Sequence, residues 1–119
     1  MVSKVNLAEK FASIDEYWKP KIVGELDDHY VKIVRIKGDF VMHRHEDADE
    51  MFLVVKGQIL LRIRDEVLRL KEGEFAIVPQ AVEHAPLAEE EAHVMLVERR
   101  SVVNTGEVRN ARTVEAEWI

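Results

Sequence analysis

The chain has 119 residues, of which 47% are hydrophobic and 34% charged, and its formal net charge is −6. This length suits one compact domain with a core of its own, and the lack of cysteine excludes disulfide scaffolds, thiolate metal sites, iron–sulfur clusters and cysteine nucleophiles. The acidic balance argues against nucleic acid as a partner, because phosphates are bound by clustered Lys and Arg.

The sequence also argues against a membrane segment and against export. No stretch is long and apolar enough to predict a membrane-spanning helix. The first residues, MVSKVNLAEKF, lack the apolar run of a secretory signal. With neither an export signal nor disulfides, the expected compartment is the cytoplasm.

The first predicted element is a short helix that follows Asn6. Asn6 can cap this helix, and Glu9 stands where its side chain can reach back to the capping backbone. Leu7, Phe11 and Ile14 recur at helical spacing over about two turns. Pro20 is expected to stop any continuation of the helix.

Beyond Pro20 the hydrophobic pattern changes to a period of two, which indicates short β-strands. The predicted strands cover residues 22–26, 30–36, 40–44, 51–55, 59–64, 67–70, 75–78 and 93–98. Turn residues separate them, including Gly57 and Gly73, where positive φ is expected, and an acidic loop at residues 89–91. This pattern predicts an all-β sandwich or barrel. The tail, ending in Trp118 and Ile119, is expected to wrap the body or pair with a neighbour.

Three of the five histidines form a candidate metal site with one glutamate. His43 and His45 are two residues apart on a strand-like segment, so both imidazoles are expected on one face. Glu50 precedes an apolar strand, and His84 comes much later. Three imidazoles and a carboxylate suit Fe(II), Mn(II), Ni(II), Cu(II), Co(II) or Zn(II). A His-x-His pair alone is a weak signal, since single histidines are usually surface or core residues.

Two segments carry a more specific pattern. They are GDFVMHRHEDADEMFLVVKG, residues 38–57, and GEFAIVPQAVEHAPLA, residues 73–88. Together they resemble the paired motifs of the cupin superfamily. The matching positions are His43, His45, Glu50, Gly57, Gly73, Pro79 and His84. The resemblance implies that His43, His45, Glu50 and His84 occupy the four positions that bind metal in cupins.

The departures from the cupin motifs concern turns rather than ligands. Gly38 stands one residue closer to His43 than in the usual motif. Ala81 replaces a motif glycine, which puts the geometry of that turn in question. Ala88 replaces the terminal asparagine and removes a side chain that would help to form a turn.

The resemblance implies an all-β fold, the cupin double-stranded β-helix or jelly-roll barrel, with a short N-terminal helix. We expect a single domain over residues 1–119, with the barrel at about 30–98, a helix and strand at 1–29 and a tail at 99–119. Within the barrel, period two places Phe52 and Val54 on the face of Glu50, and Ile59, Leu61 and Ile63 form another apolar row. Most of these side chains are expected to be core, around a hydrophobic cavity.

The function implied is that of a metal-binding cupin. The first hypothesis is a metalloenzyme with dioxygenase- or isomerase-type chemistry on a small organic substrate, because four protein ligands leave two positions open on an octahedral ion. The alternative is a non-catalytic cupin that binds a small molecule or a sugar, or senses a metal. Similar small cupins are labelled mannose-6-phosphate isomerase-like, but the ligand-bearing face lacks the convergent Lys and Arg that a sugar phosphate needs.

The two remaining histidines and the partners complete the expectations. His93 could face the cavity as an acid–base group, but it is expected to be an ordinary strand residue. His29 is expected to be exposed beside a turn. A homodimer is expected, with contacts from the N-terminal segment through Leu26 and from the tail with Trp118.

Overall fold

The structure, a computed structural model, describes residues 2–106, 108 and 110–119. It consists mainly of β-strands with one short helix, as the sequence predicts. In chain order the elements are α1 (Leu7–Ala12), β1 (Lys21–Leu26), β2 (His29–Asp39), β3 (Glu50–Lys56), β4 (Gln58–Ile63), β5 (Glu66–Lys71), β6 (Phe75–Val78), β7 (His84–Arg99) and β8 (Glu117–Trp118). No helix in the described part of the chain has the length and apolar character needed to cross a membrane.

The long strand β7 organises the sheet. Along one edge it pairs with β2, and along the other it pairs first with β4 and then with β3, all antiparallel. The sheet continues from β2 to β1 and β8, from β4 to β5, and from β3 to β6. The sheet curls around an apolar interior without closing, which is consistent with a jelly roll. This arrangement confirms the predicted fold class.

Alternate residues of the strands fill the interior, which explains the period of two in the sequence. Buried side chains of the main core cluster include Val34, Ile36, Phe52, Val54, Ile59, Leu61, Val94 and Leu96. Ile63 is only partly buried against this cluster. Each fully buried aliphatic side chain contributes roughly 1.5–3 kcal/mol to the free energy of unfolding, so this core cluster is the main source of stability.

Helix α1 covers the outer face of the sheet. Its Phe11, with Ile14 just beyond the helix, packs on Val23 and Ile33. The Asn6 side chain accepts a hydrogen bond from the Glu9 N–H at 3.0 Å, as predicted for a cap. The helix ends at Ala12, before Pro20, because Ser13 turns back on it: its hydroxyl donates to the Lys10 carbonyl at 2.7 Å. The helix therefore ends before Ile14, slightly short of the predicted two turns, and does not reach Pro20.

Two strand predictions are wrong. Residues 40–44 form no strand, because Gly38, with φ +84°, turns the chain away, and only His43 pairs, in a single bridge to His84. Residues 89–91, predicted as a loop, lie inside β7. The ladder with β2 bulges there, between the pairs Ile36–Ala92 and Gly38–Ala88. Acidic residues are accepted in this strand because they lie at the surface or pair outside the barrel.

The C-terminal tail wraps the body of the protein. Strand β8 pairs in parallel with β1, with Ile22 opposite Trp118. The Ile119 N–H donates to the Ile22 carbonyl at 3.1 Å, and the Trp118 ring meets the Tyr30 ring edge-on at 5.6 Å. The indole is nevertheless 56% exposed, so the expected apolar docking site covers only part of it.

Candidate metal centre

The structure brings the four candidate ligands together. One side-chain donor atom each from His43, His45, Glu50 and His84 lies within 4.8 Å of the others. All four residues are at most 7% exposed. They come from three places in the chain: the loop after β2, the first residue of β3 and the first residue of β7. The fold therefore joins residues that are far apart in sequence.

Backbone hydrogen bonds fix the positions of the histidines. His43 and His84 exchange N–H···O bonds at 3.0 and 2.8 Å, so their side chains emerge on the same side of the bridge. The Ala81 N–H donates to the His45 carbonyl at 2.7 Å. Ala81 adopts φ +64°, so the turn keeps the left-handed conformation that a glycine would favour.

The hydrogen bonds of the rings set their tautomers. His43 Nδ1 lies 2.8 Å from the Val41 carbonyl, and His84 Nδ1 lies 2.9 Å from the Val82 carbonyl. A carbonyl only accepts, so each Nδ1 donates and carries the proton. In a neutral ring this leaves Nε2 with its lone pair free, as a metal ligand requires.

Glu50 provides the test of whether these residues fit a cation. Its Oε1 lies 3.0 Å from His84 Nε2 and 3.4 Å from His45 Nε2. Lone pairs that face each other at such distances need a proton or a cation between them. His45 Nε2 has no hydrogen-bond partner among the described residues although it is buried. Adjacent donors around one ion with bonds of about 2.1 Å are roughly 3 Å apart, so the two distances from Glu50 and the chemistry of the donor set fit a transition-metal ion.

The electrostatics keep His43 and Glu50 in the states that bind cations. Burial, followed by the neighbouring His84, lowers the pKa of His43 from 6.5 to about 4, so its ring is neutral at pH 7. Burial alone would raise the pKa of Glu50, but the neighbouring Glu98, His45 and His84 side chains hold this pKa well below its usual range. A neutral imidazole and an ionised carboxylate result.

A buried ion pair that the sequence pattern did not predict lies behind Glu50. Lys32 Nζ is 2.8 Å from Glu98 Oε1, with the two side chains 4% and 1% exposed. Burial, and then the charge of Glu50, raise the pKa of Glu98 well above its usual range. The sequence contained a signal: Lys32 shares the inward face of β2 with Val34, and Glu98 that of β7 with Leu96. A charge on an apolar face is unusual.

An apolar cavity lies beside the cluster, and His43 and Glu50 line it. Its other walls include Trp18, Val34, Phe40, Phe52, Pro86 and Leu96. Asn104 is a further polar residue at its surface, and the space open to the centres of water-sized molecules is about 40 Å³. Phe52 thus walls the cavity, whereas Ile59 and Leu61 pack in the core away from it.

The other two histidines lie outside the cluster. His93 points to the outer face, where its ring stacks on Phe11 at 4.5 Å and its Nε2 lies 2.9 Å from Glu91 Oε2. His29 is half-exposed, with Nδ1 2.8 Å from Asp28 Oδ1. His93 therefore has no place at the cavity, and its role is that of a strand residue under α1.

A family model matches much of the barrel. The model is described as a cupin domain, and it matches residues 32–98, from Lys32 in β2 to Glu98 in β7. The match includes both motifs and all four residues of the cluster.

Solved structures of similar proteins support the match. A cupin-2 domain containing protein from Shewanella frigidimarina has a TM-score of 0.79 and 38% sequence identity, covering 81% of this chain and 94% of that protein. Protein NMB1881 from Neisseria meningitidis has a TM-score of 0.74 and 31% identity, covering 82% and 99%. The uncharacterized protein YdbB from Bacillus subtilis is 32% identical over 63 residues, and the match spans 56% of its length.

Proposed function

The chain belongs to the cupin superfamily, and from that premise we propose that His43, His45, Glu50 and His84 hold one divalent transition-metal ion. One observation supports the proposal above all. The Nε2 atoms of His45 and His84 both lie close to Glu50 Oε1, and His45 Nε2 has no hydrogen-bond partner among the described residues. The donor set suits iron, manganese, cobalt, nickel, copper or zinc. When bound, such an ion supplies Lewis-acid or redox chemistry to a molecule in the cavity.

We further propose that the protein is an enzyme acting on a small and largely apolar substrate, with dioxygenase- or isomerase-type chemistry. Four protein donors leave two positions of an octahedral ion open, and the cavity lies on the side of His43 and Glu50. The aromatic walls Phe40 and Phe52 lower the polarity on this side, which strengthens polar interactions there. The substrate would present one polar chelating end to the site and rest its apolar part on these rings.

The polarity of the cavity argues against sugar phosphates. Around the described cavity the lining residues are apolar apart from His43, Glu50 and Asn104, and none is Lys or Arg. A phosphate bound without a cationic side chain would be poorly compensated. A carbohydrate would leave several hydroxyl groups without partners against the aromatic walls.

The alternative function is a non-catalytic binder of a small molecule. The size of the cavity favours this alternative: about 40 Å³ for the centres of water-sized molecules corresponds to room for about three waters. A larger substrate therefore requires Trp18 or Phe40 to move. A binder of a small chelating molecule requires no such movement.

Metal analysis tests the proposed site. Protein purified without a metal-affinity step is expected to contain close to one equivalent of transition metal, and the His45→Ala/His84→Ala variant close to none. Loading at 100 times the dissociation constant is expected to stabilise the parent by about 2.7 kcal/mol in urea unfolding, and EDTA to reverse this. His93→Ala is the matched control, because His93 lies outside the cluster. Equal metal content in parent and double variant would refute the site.

Turnover assays distinguish the proposed enzyme from the non-catalytic binder. Metal-loaded protein is tested with panels of catechols, thiols and diketones, and isomerisation of the same compounds is followed by NMR. Turnover that disappears in His45→Ala/His84→Ala supports the enzyme. Saturable binding of a compound that stays unchanged over many hours supports the binder.

We also propose a homodimer that uses the edge formed by β1 and β8. Leu26 and Trp118, which belong to this edge, are 64% and 56% exposed. Burial of such side chains is favourable by roughly 25 cal/mol per Å². Light scattering with size-exclusion chromatography is expected to give twice the chain mass, and a monomer at micromolar concentration would contradict the dimer.

A further inference from the structure

The pair formed by Lys32 and Glu98 occupies an unusual place. Lys32 projects from β2 and Glu98 from β7 into the barrel, where both are almost fully buried. Besides Glu98 Oε1 at 2.8 Å, Lys32 Nζ reaches the Val102 carbonyl at 3.3 Å. The ammonium group thus has two oxygen partners inside the barrel.

The stability of the fold does not explain why Lys32 and Glu98 are buried as a pair. Removing two charges from water is costly, and replacing a buried ion pair by apolar residues of similar volume often leaves the fold as stable or more stable. Val34 and Leu96, on the same faces of the same strands, show that apolar side chains fit this interior. The reason for the pair must therefore be sought in what it touches.

What the pair touches is Glu50. Glu50 and Glu98 are direct partners in the antiparallel ladder between β3 and β7, and both side chains are buried on the inner side of the sheet. Lys32 occupies Glu98 Oε1, so the oxygen that remains for Glu50 is Oε2, which no N–H or O–H donor of the described residues contacts. Glu50 in turn directs its own Oε1 to His84 and His45.

We propose that Lys32 and Glu98 are positioning residues, which hold one oxygen of Glu50 so that only Oε1 is presented to an ion bound by His43, His45 and His84. This inference rests on the proposed metal site. Lys32 fixes the plane of the Glu98 carboxyl group. One proton shared between Glu98 Oε2 and the far oxygen of Glu50 joins the two carboxyl groups, and in this way Glu98 retains that oxygen. Carboxylates bind cations through either one or two oxygens. A carboxylate restricted to one oxygen leaves a further position open towards the cavity.

Cobalt(II) binding tests this role without any substrate. In the Lys32→Met/Glu98→Leu variant the pair is removed as a unit, so the fold is expected to be at least as stable as the parent. Its Co(II) affinity is expected to fall 10- to 100-fold, the usual effect of removing a residue that orients a ligand. The visible d–d spectrum is expected to change as Glu50 binds differently. Glu98→Gln, whose amide can still donate to Glu50 and accept from Lys32, is expected to keep both affinity and spectrum.

The controls separate this role from a purely structural one. Glu91→Gln alters an ion pair on the outer face of the same two strands and is expected to leave Co(II) binding unchanged. If the double variant does not fold, Glu98→Asp is measured instead, since it keeps a carboxyl group but withdraws it from Glu50; the same weakening is expected. Parent-like affinity and spectrum in the variant measured would overturn the proposal, as would a Glu98→Gln protein that resembles the double variant. Failure of the parent itself to bind Co(II) would instead refute the metal site.

Discussion

Strands β2 and β7 are joined by two ion pairs that differ mainly in their surroundings. The inner pair, Lys32–Glu98, and the outer pair, Arg35–Glu91, have the same N···O distance of 2.8 Å. The inner side chains are 4% and 1% exposed, whereas the outer ones are 24% and 33% exposed. Because solvent screens the outer charges and not the inner ones, equal distances correspond to very different energies.

The partners of the two pairs differ as well. The outer Glu91 accepts hydrogen bonds from Tyr17 at 2.7 Å and from Arg35, and His93 Nε2 lies 2.9 Å from it. Arg35 also donates to the Ile14 carbonyl, so the outer network fastens the segment after α1 to the sheet. The inner pair faces another carboxylate and keeps a bare oxygen. Both oxygens of the partly exposed Glu91 have hydrogen-bond partners, which is typical of a structural network. The buried Glu98 has an oxygen without a donor, which indicates a role at the neighbouring site.

The largest expected effect is that of breaking the inner pair. Glu98→Leu leaves the Lys32 ammonium buried with only the Val102 carbonyl as partner. The free energy of unfolding is expected to fall by about 3–5 kcal/mol. The corresponding outer change, Glu91→Leu, is expected to cost about 1 kcal/mol, because solvent replaces part of the lost interaction. Urea unfolding at pH 7, without metal, measures both. Equal losses would show that burial does not distinguish the pairs.

A smaller effect concerns acid. Hydrogen bonds from Arg35, Tyr17 and His93 lower the pKa of Glu91 from 4.5 to about 2 in the folded protein. A lowered folded-state pKa means that the stabilisation is present above pH 4.5 and is lost as the pH falls towards 2. After allowance for solvent screening, the difference in unfolding free energy between parent and Glu91→Gln is expected to be about 1 kcal/mol at pH 6.

This acid effect is measured by urea unfolding of both proteins between pH 6 and pH 3. The difference between parent and Glu91→Gln is expected to shrink steadily below pH 4.5. A difference that is constant over this range would show that the Glu91 carboxylate adds no charge-dependent stability. The control is Glu90→Gln, because Glu90 is an exposed neighbour in β7.

Much of the inner region could be predicted from the sequence. The period of two identifies strands whose alternate residues are buried. The two-residue spacing of His43 and His45 predicts that they share a face. Both contribute to the cluster, although residues 40–44 form only a single bridge. The shared face survives because the exchange of backbone bonds between His43 and His84 imposes an extended conformation locally.

The rest depends on pairings that a single sequence does not reveal. Lys32 and Glu98 stand in strands that were predicted, but only the register between β3 and β7 places Glu98 opposite Glu50. The first half of β7 was missed since Pro86 and three acidic residues are unusual in a strand. They are accepted because Pro86 lies inside the barrel beside the cavity and Glu91 pairs with Arg35 outside.

The smallest expected effect lies in the turn that supports the inner cluster. Ala81 has φ +64°, and its N–H holds the His45 carbonyl at 2.7 Å. The left-handed conformation costs an alanine about 1–2 kcal/mol, and glycine avoids this cost. Glycine is also more flexible in the unfolded chain, which costs roughly 0.5–1 kcal/mol on folding. Ala81→Gly is therefore expected to raise the unfolding free energy by about 0.5 kcal/mol, measured by calorimetry. In the outer region the same change at Ala12, the last residue of α1, is expected to have the opposite sign, because glycine disfavours helix by up to about 1 kcal/mol. Destabilisation by Ala81→Gly would mean that the turn next to His45 does not hold the strained conformation.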